Sequence, residues 1–316
     1  MRTNSTQDDE IARARGQASV TRRATCAGLE EILYEPIAVL DHGFIRVIDY
    51  MGDDSAIVQA ARVSYGRGTK SKSDDRGLIR YLMRNAHTSP FEMLELKLHV
   101  KLPIFVARQW VRHRTASINE YSARYSVLDK EFYVPEDKHL AAQSTTNKQG
   151  RDTTLTAAEA SSVISLLKSD AERNYADYLW MLNEDDTGKC LDEKRTGLAR
   201  ELARINLTLN MYTQWYWKID LHNLMHFIKL RSDAHAQYEI RAYSEALEDI
   251  VSKWVPLSYS AFKDFNADAL TFSGPALAVV RRVVGGERVT QETSGLTRSE
   301  WREFCDALGI AEHASG

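Results

Sequence analysis

Between Leu96 and Leu102 apolar and polar residues alternate strictly: Leu96, Leu98, Val100 and Leu102 on one side, Lys97, His99 and Lys101 on the other. A period of two with one apolar side predicts a half-buried strand ending near Pro103. From Ile104 the spacing turns helical through Phe105, Val106, Trp110 and Val111. A short helix there delivers Arg112 to its C-terminal end, where backbone carbonyls favour cations. After Thr115 the polar run has no steady period and reads as a loop that carries functional groups on a rigid support.

The same patterning organises the rest of the chain. Residues 1–35 show no long amphipathic stretch before LEEIL (29–33) and read as a partly flexible arm able to pack on a neighbouring subunit. The compact part starts at Pro36, FIRVIDYMG (44–52) reads as a strand, and Asp54 is the expected N-cap of a helix through Ala56, Val58 and Ala61. Leu78, Leu82 and Met83 make a helical stripe ending near Asn85-Ala86, and His87-Thr88-Ser89-Pro90 then turns the chain. Residues 137–156 read as an insertion or long loop, and Thr156 with Glu159 fits a capping box opening a helix to about Asn183. A second helix is expected after Gly197, with Leu198, Leu202, Ile205 and Leu209 on one face. The apolar stripe that follows ends at Arg231, and Ser232-Asp233 reads as a break and N-cap before the next helix.

Beyond Phe265, GPALAVVRRVVGGE reads as a short helix ended by glycines. Thr297 through Glu300 fits a capping box before a helix with Trp301, Phe304 and Leu308 on its apolar side. Three parts are therefore expected: an N-terminal arm (1–35), a main domain (36–265) and a helical C-terminal extension (266–316). Pattern and composition alone place the fold in the α+β class.

Composition narrows the function. No apolar run approaches the ~18–20 residues that cross a bilayer, and the N-terminus lacks a signal-peptide hydrophobic segment. Arg13, Arg15, Arg22 and Arg23 suit an organelle transit peptide, but Asp8, Asp9 and Glu10 oppose that reading. A soluble, cytoplasmic protein with no membrane partner is expected. The three cysteines, Cys26, Cys190 and Cys305, are scattered and lack CxxC spacing, which argues against a disulfide framework or a cysteine metal site.

Residues 112–125, RHRTASINEYSARY, place three arginines, a histidine, a glutamate, an asparagine and two serines within fourteen positions. Arginine forks donate bidentate hydrogen bonds to phosphate or carboxylate, serine hydroxyls add donors, and Glu120 accepts from a ring or ribose group. Such a mixture suits a nucleotide better than a metal. A solvated basic turn or a nucleic-acid phosphate patch is the plainer alternative, but the net charge of −3 lacks the basic excess of a nucleic-acid domain. His222 and His226 share a helix face at the spacing of zinc ligands, with Asp220 and His235 as further candidates. The HExxH pattern fails because Asn223 follows His222, so no metal is expected, and a zinc hydrolase stays as an alternative.

Arg112-His113-Arg114, followed by seven residues and Ser122, resembles the signature of the flavin-dependent thymidylate synthases. AARVSYGRGTKSKSDDRGLIRYLMRNAHTSPFE (60–92), LARELARINLTLNMYTQWYW (198–217) and LMHFIKLRSDAHAQYEIR (224–241) resemble the same family's other blocks, in order. The likeness spans roughly residues 37–265 and leaves the C-terminal part outside.

The resemblance implies a sheet covered by helices, assembled as a homotetramer with FAD at the subunit interfaces. It implies conversion of dUMP to dTMP with methylenetetrahydrofolate as one-carbon donor and NADPH as reductant, without a cysteine nucleophile. By the same resemblance dUMP is held by Gln109, Trp110, Val111, Arg112, Glu120, Tyr121, Ser122, Ala123, Arg124, Arg204 and Arg231. FAD is met by His87, Ser89, Arg112, His113, Arg114, Glu120, Asp220, Leu221, His222 and His226, with contacts drawn from different subunits. Arg231 is the expected catalytic residue, stabilising the uracil ring as an anion.

Overall fold

The computed structural model describes residues 5–64, 75–145 and 150–310. The polypeptide divides into two compact units, Met1–Ala261 and Phe262–Gly316. The first opens with helices α1 (Ser5–Gly16) and α2 (Ala27–Glu30) and strands β1 (Pro36–Val39) and β2 (Gly43–Met51). Helices α3 (Asp54–Val63) and α4 (Asp75–Arg84) precede β3 (Glu95–Pro103), α5 (Ile104–Trp110) and β4 (Ser117–Glu120). A hairpin of β5 (Ala141–Gln143) and β6 (Arg151–Thr154) leads to the long α6 (Ala157–Leu182) and the short α7 (Arg200–Ala203). Strand β7 (Tyr212–Asp220) is followed by α8 (Leu221–Arg231), α9 (Tyr238–Trp254) and α10 (Pro256–Phe262).

Five strands form an antiparallel sheet in the order β1-β2-β3-β7-β4, which with the surrounding helices gives an α+β fold. One face is fully buried: Ile45 and Val47 of β2, Leu96, Leu98, Val100 and Leu102 of β3, and Trp215 and Trp217 of β7. Trp110, at the end of α5, packs edge-on to Trp215 and Trp217 and also meets Phe227 of α8 and Tyr243 of α9. Aromatic clusters of this kind combine large apolar area with fixed ring geometry, so they anchor α5, α8 and α9 on the sheet. A second cluster, Leu128, Tyr175, Tyr178, Leu182, Ala203 and Met211, seats α6.

The strand expected at Leu96–Pro103 is present, but it is not half-buried. His99 and Lys101 on its other side are also buried, since β3 sits between β2 and β7 and its polar side chains pair across the sheet. Arg46 donates to His99 Nδ1 at 2.7 Å, the other ring nitrogen meets Gln214 Oε1 at 3.0 Å, and the ring lies on Tyr216. Lys101 pairs with Glu131.

Several boundaries differ from the pattern for identifiable reasons. The run after Thr115 is not all loop: Ser117–Glu120 pairs antiparallel with β7 as an edge strand. Its residues are all exposed, so no alternation marks it. Asp53, not Asp54, caps α3, accepting from Ser55 N–H at 2.9 Å and Ala56 N–H at 3.3 Å. The segment 137–156 contains the β5–β6 hairpin, apart from 146–149, which lie outside the described residues. Part of the 60–92 block, 65–74, also lies outside them. The N-terminal arm holds α1, in which acidic residues precede Arg13 and Arg15 in the favourable order for the helix dipole. Arg15 pairs with Glu35 at 3.0 Å and donates to the Leu33 carbonyl at 2.7 Å.

The helix expected over 198–209 is short. It gives way to a 3-10 turn at Arg204–Asn206, and Leu198, Leu202, Ile205 and Leu209 are exposed. At the end of this segment and just beyond it, two carbonyls hold the start of α5: Leu209 accepts from Phe105 N–H at 3.0 Å and Met211 from Ile104 N–H at 2.8 Å. They satisfy otherwise orphaned donors at the start of α5. Asp233 likewise caps no long helix; α9 starts at Tyr238, and Asp233 closes a local turn onto His235 N–H at 2.8 Å. The capping box at Thr156 and Glu159, and the end of α6 at Asn183 with φ of 57°, match the expectation.

The second unit contains α11 (Gly274–Val284), α12 (Gln291–Ser294) and α13 (Arg298–Leu308). Val279, Val289, Leu296, Trp301, Phe304 and Cys305 form its own small core. Gly285 ends α11, and Thr297 and Glu300 form the expected capping box on α13. Among the described residues no helix is long and apolar enough to cross a membrane.

Candidate active site

The residues singled out by sequence fall into two groups, joined by the stretch from the end of α5 through β4. The first surrounds an open cleft of about 720 Å³. Strand β4 delivers Glu120 to its edge, and the chain then turns through Tyr121, Ser122, Ala123 and Arg124, all of which line the cleft with Arg204. Ser122 Oγ accepts from Arg124 N–H at 3.3 Å and the Ser122 carbonyl from Tyr125 N–H at 3.0 Å, a local turn that presents the Arg124 side chain outward. The Tyr121 hydroxyl donates to the Val127 carbonyl at 3.0 Å and receives Ser126 Oγ at 2.6 Å, closing the same turn from beneath.

Arg200 ties the walls together, with Nη2 on Glu184 at 2.6 Å and Nη1 on the Tyr125 carbonyl at 3.5 Å. Glu120 accepts from Thr213 Oγ1 at 2.8 Å, which aims one carboxylate oxygen and leaves the other for a ligand. Neither Arg124 nor Arg204 has a carboxylate partner among the described residues. Arg204 donates from Nε to the Glu201 carbonyl at 3.3 Å, and Arg124 lies beside the Tyr125 ring. Two guanidinium groups without carboxylate partners, lining one cleft with a serine hydroxyl, have the donor chemistry that suits a phosphate monoester.

Sequence reasoning missed Ile104, Leu128, Leu207, Thr208 and Thr213 as cleft residues and read Ile205 and Leu209 as core. Apolar residues at helical spacing gave no sign that they would line a cleft. Thr213 shares the side of Trp215 and Trp217 along β7, and that period was the available signal.

The second group lies where the end of α5 meets α8. His113 is buried, with Nε2 at 3.0 Å from Thr115 Oγ1, and its ring meets Phe227, Trp217 and His226. Burial, then the nearby His226 and Arg231 charges, lowers its pKa from the ordinary value, so His113 is a neutral imidazole at pH 7. Asp220 caps α8, its carboxylate receiving Asn223 N–H at 2.9 Å and Asn223 Nδ2 at 2.7 Å. That role occupies both oxygens. Leu221 is buried, and His222 and His226 lie four residues apart on α8, half-buried and exposed respectively. No group of three potential metal ligands occurs among the described residues.

Arg231, the last residue of α8, donates from Nη2 to the Gln109 carbonyl at 3.1 Å, while its Nε is buried without a partner. Burial lowers its pKa, but a guanidinium remains a cation at neutral pH. Among the described residues no carboxylate pairs with it. A half-buried cation with an orphaned donor fits an anionic or strongly accepting ligand group. Arg112 shares the Gln109 carbonyl through its backbone N–H at 3.4 Å, and its side chain, like that of Arg114, is exposed. The Trp110 indole is in the core and Val111 is exposed. His87 and Ser89 are exposed in the turn after α4, with the His87 ring edge-on to Tyr81 at 5.7 Å.

Comparison with known proteins agrees with this chemistry. A family model described as thymidylate synthase complementing protein matches residues 46–257. The chain is 58% identical over 309 residues to a flavin-dependent thymidylate synthase of Ruegeria pomeroyi, covering 98% of this chain and 100% of that protein. It is also 58% identical to a protein of that name from Rickettsia bellii, over 92% of this chain and 99% of the other. Among solved structures it is similar to the UMP/dUMP methylase PolB from Streptomyces cacaoi bound with 5-Br dUMP. That match has a TM-score of 0.63 and 32% identity, over 73% of this chain and 99% of the other. The family model ends at residue 257, within the expected span, while the match to the Ruegeria protein continues past Phe265.

Proposed function

The chain belongs to the flavin-dependent thymidylate synthases, and we propose that it converts dUMP to dTMP with methylenetetrahydrofolate as one-carbon donor and NADPH as reductant. The observation that carries the substrate assignment is the cleft of Glu120 to Arg124 and Arg204, whose two guanidinium groups lack carboxylate partners. The PolB structure bound with 5-Br dUMP supports a pyrimidine nucleotide as the occupant. FAD, when bound, supplies the redox chemistry that links NADPH to the one-carbon unit.

The protein's own side chains bind, orient and polarise. Arg124, Arg204 and Ser122 hold the phosphate; Glu120 accepts from the sugar or base; Gln109, Arg112 and Arg231 address the uracil. Arg231 cannot donate a proton at neutral pH, but its fixed charge stabilises the ring as negative charge develops on it. Exposed Arg112 and Arg114 suit the flavin pyrophosphate, and neutral His113 with His222 and His226 offers flat surfaces and ring N–H groups to the flavin. His87 and Ser89 complete that set. The proposed route uses no covalent thiol.

The family likeness supports a homotetramer, in which neighbouring subunits would cover Ile205 and Tyr125, each 76% exposed at the cleft. In this reading residues 266–316 are an appendage to the main domain, with helices α11 to α13 in its described part. A cytoplasmic location accords with the absence of a membrane-crossing helix among the described residues. The test is a visible absorption spectrum of the purified protein, followed by anaerobic NADPH, dUMP and methylenetetrahydrofolate with an assay for dTMP. Bleaching by NADPH, with recovery as dTMP forms, is expected. A protein that neither takes up FAD nor makes dTMP overturns the reading.

A further inference from the structure

Behind the second group of site residues runs a polar chain that the reaction itself does not require. Glu239, in the first turn of α9, is only 2% exposed. Its carboxylate receives Arg151 Nη2 at 2.7 and 2.6 Å, Gln237 Nε2 at 2.7 Å and the Tyr133 hydroxyl at 3.1 Å. Burial alone raises its pKa, and the Arg151 hydrogen bonds and charge overcome that and bring it below the ordinary value. Glu239 is therefore an ionised acceptor with no proton to give.

That fact dictates the direction of the next links. Gln237 must turn its NH2 group toward Glu239, so its carbonyl oxygen faces the other way, where Gln109 Nε2 donates to it. Gln109 in turn has one orientation left: its NH2 is engaged and its Oε1 is the free end. The backbone carbonyl of the same residue holds Arg231 Nη2. Gln237 caps α9 in sequence but makes no side-chain cap bond, so its amide is spent on this relay rather than on the helix.

We propose that Glu239, acting through Gln237, is a positioning residue that fixes the amide polarity of Gln109, so that Gln109 Oε1 meets a donor group on the bound pyrimidine nucleotide beside Arg231. The proposal rests on the reading of Gln109 as a nucleotide contact. It makes nucleotide affinity depend on two residues that touch no ligand, and on Arg151 of the β5–β6 hairpin that neutralises Glu239. Without the carboxylate, Gln237 and Gln109 can both rotate by half a turn, and the nucleotide meets an NH2 group where an acceptor is needed.

The experiment is a double-mutant cycle on dUMP affinity in the FAD-loaded protein, using Gln237→Met, Gln109→Ala and the pair. Gln237→Met is chosen because it leaves the Arg151–Glu239 ion pair, and hence the hairpin anchor, in place. Each single variant is expected to weaken dUMP binding roughly tenfold, the value of one ordinary hydrogen bond. The double variant is expected to bind no more weakly than Gln109→Ala, because Gln237 acts through Gln109. Flavin content and the denaturation midpoint are expected to stay near those of the unmodified protein. Losses that multiply in the double variant, or unchanged affinity in Gln237→Met while Gln109→Ala binds weakly, overturn the relay and leave the nucleotide assignment standing. Unchanged affinity in Gln109→Ala overturns both the relay and the role of Gln109.

Discussion

Arg231 reaches back from the end of α8 to the Gln109 carbonyl at 3.1 Å, and it does so with its Nε buried and unpartnered. The main-chain contact fixes where the guanidinium sits without neutralising it. Replacing Arg231 by Ala is expected to lower turnover about 100-fold or more, the usual cost of removing one preorganised electrostatic group, while FAD stays bound. Single-turnover formation of dTMP measures the first and the flavin spectrum the second. Turnover equal to the unmodified enzyme would remove Arg231 from the chemistry.

Arg124 and Arg204 are assigned to the phosphate, and this separates them from Arg231. Arg124→Ala and Arg204→Ala should each raise the KM for dUMP roughly 10- to 100-fold, with a smaller change in kcat, since a hydrogen bond to a charged group contributes about 1.5–3 kcal/mol. Comparing dUMP with deoxyuridine checks the assignment. The variants should lose much of the preference for the phosphorylated form, and an undiminished preference would move the phosphate elsewhere.

Asp54 is a joint rather than a cap. Its carboxylate accepts from Leu257 N–H at 2.8 Å, Ser258 N–H at 3.0 Å and Ser258 Oγ at 2.6 Å, at the start of α10. Pro256 at the first position brings no N–H, so Asp54 satisfies the next two orphaned donors from a distant part of the chain. Asp54→Ala should cost about 2–3 kcal/mol in urea denaturation, against about 1 kcal/mol for Asp53→Ala, which removes a simple N-cap. Equal losses would show that the link to α10 adds nothing.

His99 makes stability depend on pH. Burial first, then the Arg46 and Lys101 charges, lowers its pKa from 6.5 to about 4. The unfolded chain therefore binds a proton that the folded chain refuses, so this contribution is complete above the unfolded pKa and is lost as pH falls toward the folded one. The loss is on the order of 3 kcal/mol. His113, lowered in the same direction, adds to it. A His99→Gln variant should show a flatter stability curve between pH 6.5 and 4 by chemical denaturation. An unchanged slope would assign the acid sensitivity to other groups.

The sequence by itself determined whatever depends on local pattern or on a dense motif. Alternation located β3, a capping box located the start of α6, and the dense run from Arg112 to Tyr125 contains the residues from Glu120 onward that line the cleft. These are short-range properties: a pleat, a 3.6-residue turn, a side chain reaching three residues along. Tertiary structure decided the rest, because the partners are distant in sequence. Ser117–Glu120 is a strand because β7 offers it an edge, and Leu209, expected on a helix face, lies in a turn before β7 where its carbonyl accepts from the start of α5. Asp54 yields the cap of α3 to Asp53 because residues some 200 positions away need its oxygens. Likewise the polarity of Gln109 comes from a buried carboxylate on α9. A hydrogen bond consumes a donor and an acceptor wherever they lie along the chain, and no periodicity records which pairs will meet.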